Sequence, residues 1–136
     1  MATVGYSGKP LFNKLGIKED MRVLLIGQPQ DYFSILEVDI SNQIVPPHMN
    51  PDFVHIFART QHEYEVALSR LKNKYAANPK MIIWVSWHKK SAKIPTDLTE
   101  DTIRNYALKN DLVDIKVCAV SEQWSGLKLV VSKSKR

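Results

Sequence analysis

At 136 residues, with 44% hydrophobic and 24% charged residues, the chain has the size and composition of one globular domain that can bury a core without cross-links. Its 19 basic and 14 acidic residues leave a formal charge of +5, which favours anionic partners but is too modest to mark a nucleic-acid binder. The single cysteine, Cys118, excludes an internal disulfide and a cysteine-based zinc site, and no run approaches the roughly 20 apolar residues of a membrane span.

The first residues, MATVGYSGKPLFNKLG, lack the long apolar stretch of a signal peptide, so a soluble, cytoplasmic protein is expected. KPLFNKLGI predicts a short helix using Leu11, Phe12 and Leu15, with Gly16 as its stop, inside a helical lead over 1–20. MRVLLIGQP reads as a buried strand followed by a sharp turn, and a short helix is expected from Asp31. VDISNQIVPPHMNP, with three prolines, permits at most a short strand at Ile44-Val45. A strand over Phe53 to Ala58 and a helix over Gln61 to Ala77 follow, the helix with Tyr64, Ala67, Leu68, Leu71 and Tyr75 on one face.

MIIWVSW is apolar without alternation, as expected of a strand covered on both sides. PTDLTEDTIRNYALKND predicts a further helix, capped by Asp97 or Thr99, with Asp97 and Glu100 at capping-box spacing. VDIKVCAV and LKLVVSK predict a closing hairpin through SEQWSG, with Gly126 at its turn and a frayed basic tail over 133–136. Strands alternating with helices imply parallel pairing, and the hairpin adds one antiparallel strand. The expected fold is one α/β domain, a three-layer Rossmann-like sandwich over 1–136.

The order of MRVLLIG, DFVHIF, helix, KMIIWVSW, helix, DIKVCAV, hairpin and LKLVV resembles the latter part of class I methyltransferases. GYSGKPLFNKLGIK, VSWHKK, PTDLTED and WSGLKLV resemble a bacterial family known only as a domain of unknown function. The methyltransferase resemblance implies S-adenosylmethionine at a Gly-rich loop after the first strand. Here that loop reads IGQPQDYF, with Gly27 as its only glycine and Pro29 removing a backbone N–H. Glu37 and Asp39 are the nearest substitutes for a ribose-binding acid. The cofactor is therefore disfavoured, and no other cofactor is implied.

In open α/β sheets ligands bind beyond the carboxyl ends of the parallel strands. Those ends bring up Gln28, Arg59, and the stretch Ser86, Trp87, His88, Lys89 and Lys90. The loop from Trp87 to Leu98 exceeds the roughly 2–6 residues usual for such connections. Lys89, Lys90 and Lys93 form a cationic rim in this reading, Ser86 supplies a hydroxyl and Trp87 a flat wall. His55, inside FVHIF, is expected to be a satisfied core imidazole. No histidine pair has the helical spacing of a metal site, and the strand aromatics Phe53, Phe57 and Trp84 are expected to be covered, which argues against nucleic acid.

The leading expectation is a non-enzymatic module that binds an anionic small molecule or an acidic protein surface near Arg59, Ser86, Lys89 and Lys90. The alternative is a divergent transferase of methyltransferase type with atypical S-adenosylmethionine binding. A second alternative is an interaction subunit that uses Trp124 in the closing hairpin as a partner anchor.

Overall fold

The computed structural model of the chain describes residues 9–135. Residues 1–8 and Arg136 lie outside them, and with them the start of the expected helical lead and the last residue of the expected tail. The elements in chain order are α1 (Leu11–Leu15), β1 (Val23–Ile26), α2 (Tyr32–Leu36), β2 (Phe53–Phe57), α3 (Gln61–Ala77), β3 (Ile82–His88), α4 (Glu100–Lys109), β4 (Leu112–Ala119) and β5 (Trp124–Val131). Gly16 ends α1 in the left-handed conformation, φ 83°, and its N–H bonds back to the Asn13 carbonyl.

Among the described residues five strands form one sheet in the order β1-β2-β3-β5-β4. β1, β2 and β3 are parallel, and β5 runs against both β3 and β4. The closing hairpin thus inserts its second strand beside β3 and leaves β4 at the edge. At the opposite edge Ile44 makes a single parallel bridge to Val23, the whole of the short strand expected there.

Alternation along the strands sends apolar side chains both ways, which is why the central sequences are nearly all apolar. Val54, Ile56, Ile83, Val85, Trp87, Leu127 and Leu129 face α3 and α4, where they meet Tyr64, Leu68, Leu71, Tyr75 and Ile103. Val23, Phe53, Phe57, Trp84 and Trp124 face α1 and α2, where they meet Leu11, Leu15, Tyr32 and Leu36. The result is the expected three-layer Rossmann-like α/β sandwich. The Trp84 indole N–H donates to the Leu15 carbonyl at 2.9 Å and ties the short α1 to the sheet. The whole predicted face of α3 is buried.

Two local expectations need correction. Gly126 is not in the hairpin turn but within β5, opposite Ser86 and Cys118; the turn is closed by Val120 and Ser121, whose N–H groups donate to the Trp124 carbonyl. Gly126 is needed for space, since a Cβ there would lie 2.8 Å from Val120 Cγ2 and 3.1 Å from the Trp84 ring. Asp97 does not cap α4: Thr99 does, in a reciprocal box with Thr102. Lys133–Lys135 wind a short 3-10 turn, and Lys135 comes within 3.9 Å of Asp111.

Candidate functional site

The carboxyl ends of β1, β2 and β3 and the start of β5 meet at one end of the sheet, where two arrangements lie side by side. The first is an aromatic and cationic cluster. The Trp124 ring stacks on His88 at 4.0 Å between centroids, takes the Phe57 ring edge-on at 4.9 Å, and lies beneath the Arg59 guanidinium at 5.6 Å. Arg59 also donates to the Gly27 carbonyl at 3.2 and 3.3 Å and to the Phe57 carbonyl at 3.4 Å. Gly27 has φ 71°, and a Cβ on it would sit 2.5 Å from the Phe57 carbonyl oxygen, so β1's turn is packed directly against the end of β2.

The second arrangement is an open cleft of about 870 Å³ under the loop that follows β3. Trp87, His88 and Ser125 lie along the sheet side, Lys89, Lys90 and Lys93 on the loop, and Thr99, Glu100 and Asp101 at the start of α4. None of the three lysines forms an ion pair among the described residues, whereas Glu100 and Asp101 are both held by Arg104, which also bonds Asp114. The loop is fixed at its far end: Thr96 Oγ1 donates to the Arg59 carbonyl at 2.8 Å, and Asp97 accepts from the Gln61 N–H at 2.7 Å.

His88 belongs to both arrangements. It is 8% exposed, its Nδ1 has no hydrogen-bond partner among the described residues, and burial, then the nearby Arg59 charge, lowers its pKa. A buried ring nitrogen without a partner calls for an explanation.

The sequence-derived candidates separate here. Arg59, His88 and Trp124 come together in the aromatic cluster; Trp87, His88, Lys89 and Lys90 border the cleft. Trp124 is only 5% exposed. Gln28 is exposed beyond β1 and lines neither this cleft nor the one beside α3. Glu37 and Asp39 belong to local turns: Glu37 ends α2 at φ 67°, and Asp39 accepts from the Ser41 N–H at 2.8 Å, which lowers its pKa.

Ser86 points away from the cleft, into the layer beneath α2, where it is wholly buried. There Tyr32 Oη lies 2.8 Å from His55 Nδ1, and His55 Nε2 lies 2.7 Å from Ser86 Oγ. His55 is thus a core imidazole with both nitrogens satisfied, and burial pushes its pKa down to about 3. A serine, an imidazole and a phenol are in hydrogen-bonding contact, as in nucleophilic sites, but each is at least 98% buried and no substrate reaches the hydroxyl. This chain was missed from sequence because its members lie 23 and 31 residues apart.

Among solved structures the chain is similar to an uncharacterized protein from Listeria monocytogenes serotype 4b, with TM-score 0.60 and 12% identity over 90% of this chain and 67% of that one. It is similar to a protein of the NADB-Rossmann superfamily from Streptococcus agalactiae, with TM-score 0.55 and 12% identity over 91% and 68%. It is also similar to the B. subtilis M1A22 tRNA methyltransferase TrmK, with TM-score 0.50 and 12% identity over 91% and 66%. These likenesses establish a Rossmann-like, methyltransferase-like fold. No protein-family model and no curated protein sequence matches the chain, so the resemblance to an uncharacterised bacterial family stays a resemblance. No helix among the described residues is long and apolar enough to cross a membrane.

Proposed function

We propose that this protein is a binding module on a methyltransferase-like scaffold, and that it holds a small phosphate- or carboxylate-bearing molecule in the cleft under the loop after β3. The observation that carries this reading is the cleft itself, bordered by Trp87 and His88 and rimmed by Lys89, Lys90 and Lys93, none of them in an ion pair among the described residues. Three ammonium groups without carboxylate partners supply charge for an anion. An acidic protein surface is the larger variant of the same chemistry.

The residues after β1 do not fit S-adenosylmethionine in its usual place. The Gly27 carbonyl already accepts from Arg59, Pro29 has no N–H, and Gly27 is the one glycine in the turn IGQPQDYF. Titration with inorganic pyrophosphate at low salt, followed by NMR, tests the reading. Shifts are expected at His88 and along the loop, with affinity falling about tenfold in Lys89→Ala plus Lys90→Ala. Unchanged affinity in the double variant would sink it.

The fold comparisons favour a second reading, since TrmK is a tRNA methyltransferase. In that reading the chain is a divergent transferase that takes its methyl donor in an altered position. Calorimetry with S-adenosylmethionine and S-adenosylhomocysteine separates the two. Micromolar binding of either supports the transferase; heat indistinguishable from buffer supports the binding module.

A further inference from the structure

On the other side of the sheet from α2, a cleft of about 600 Å³ opens between β1 and the flank of α3. Leu24, Ile26 and Ile56 form its floor, with Ala67 and Leu71 of the helix. The outer wall is one ridge of α3 at four-residue spacing, His62, Val66, Arg70 and Lys74, which runs for about 18 Å. Arg59 also lines it, and among the described residues Glu63 is the only acidic one in the lining.

The chemistry of the lining selects its ligand. Leu24, Ile56, Ala67 and Leu71 are each at least 94% buried, and Ile26 and Val66 are half-buried apolar side chains in the lining that a ligand can touch. The volume is within the roughly 300–1,000 Å³ of small-molecule sites. Glu63 already accepts from the Arg59 N–H, and Lys74 donates to the Met49 carbonyl, which leaves Arg70 as an exposed cation at mid-ridge with no ion pair among the described residues. We infer that this cleft is a second binding site, for an amphipathic anion: an acyl chain lying on Ile26 and Val66, with its carboxylate or phosphate against Arg70 and, once it leaves the Met49 carbonyl, Lys74.

Dodecanoate is the probe, with dodecanol as its uncharged counterpart, both read by calorimetry on the full chain. Dodecanoate should bind with Kd of about 10 μM and dodecanol at least about tenfold more weakly. Arg70→Ala plus Lys74→Ala should remove that difference by weakening dodecanoate alone. Val66→Trp, on the half-exposed wall, should fill the cleft and abolish binding of both while thermal unfolding stays cooperative. Lys89→Ala plus Lys90→Ala should leave dodecanoate unaffected, which separates this site from the loop cleft. The inference fails if dodecanoate does not bind, if dodecanol binds equally well, or if Val66→Trp binds like wild type. It also fails if light scattering shows a wild-type dimer that Val66→Trp dissociates, because a second copy would then be the occupant.

Discussion

Asp97 accepts a hydrogen bond from the backbone N–H of Gln61 at 2.7 Å, so the loop that follows β3 caps the helix that follows β2. One carboxylate therefore stabilises the start of α3 and fixes the far end of the lysine-bearing loop. Asp97→Ala should cost about 1 kcal/mol, as for loss of an N-terminal cap, and should speed amide exchange over residues 89–96. Thr99→Ala, which removes the cap of α4, should cost a similar amount and leave exchange in the loop unchanged. Equal exchange in wild type and Asp97→Ala would show that the loop is held by other contacts.

The buried His55 predicts an acid-sensitive fold. Its pKa falls from 6.5 to about 3 on burial, so between those values the unfolded chain binds more protons than the folded one. Its contribution to stability is complete above about pH 6.5 and declines as the pH falls toward 3. His55→Gln should be less stable at neutral pH yet lose less on acidification. Urea unfolding at pH 7, 5 and 4 measures both, and parallel pH profiles for the two proteins would refute the assignment.

Two glycines are required by space, and they should respond differently. Gly126→Ala pushes a methyl group toward Val120 and the Trp84 ring, side chains that can shift, and should cost about 1–3 kcal/mol. Gly27→Ala meets a backbone oxygen at 2.5 Å and adds the strain of φ 71°, so its cost should be larger. Chemical denaturation of both variants gives the order, and Gly27→Ala at wild-type stability would mean that β1's turn is not packed on β2 as described.

Much of the fold was legible because it rests on local periodicity. Tyr64, Ala67, Leu68, Leu71 and Tyr75 recur at helical spacing, and all five are buried. Gly16 follows the last apolar residue of a short helix, and it adopts the left-handed cap. The failures share a different cause. Of the two residues that precede the nearest helix, Thr99 caps it as the sequence allows, while Asp97 bonds the first N–H of a helix that starts 36 positions away. Ser86 was placed at the ligand end because its neighbours Trp87 and His88 are there, but alternation turns its side chain to the opposite face from Trp87, onto His55. Which strand lies beside which, and in what register, decides both contacts, and no short window of residues carries that information.

The single rung between Val23 and Ile44 has a consequence for how the protein behaves among its own copies. An uncovered strand at the rim of a sheet is a template for another chain. Here the rung is followed at once by Pro46 and Pro47, neither of which has an N–H to offer, and the pairing stops after one step. The proline pair limits the added strand to one rung at this rim, so the eight-residue β4 at the other rim is the longer edge that a neighbouring molecule meets.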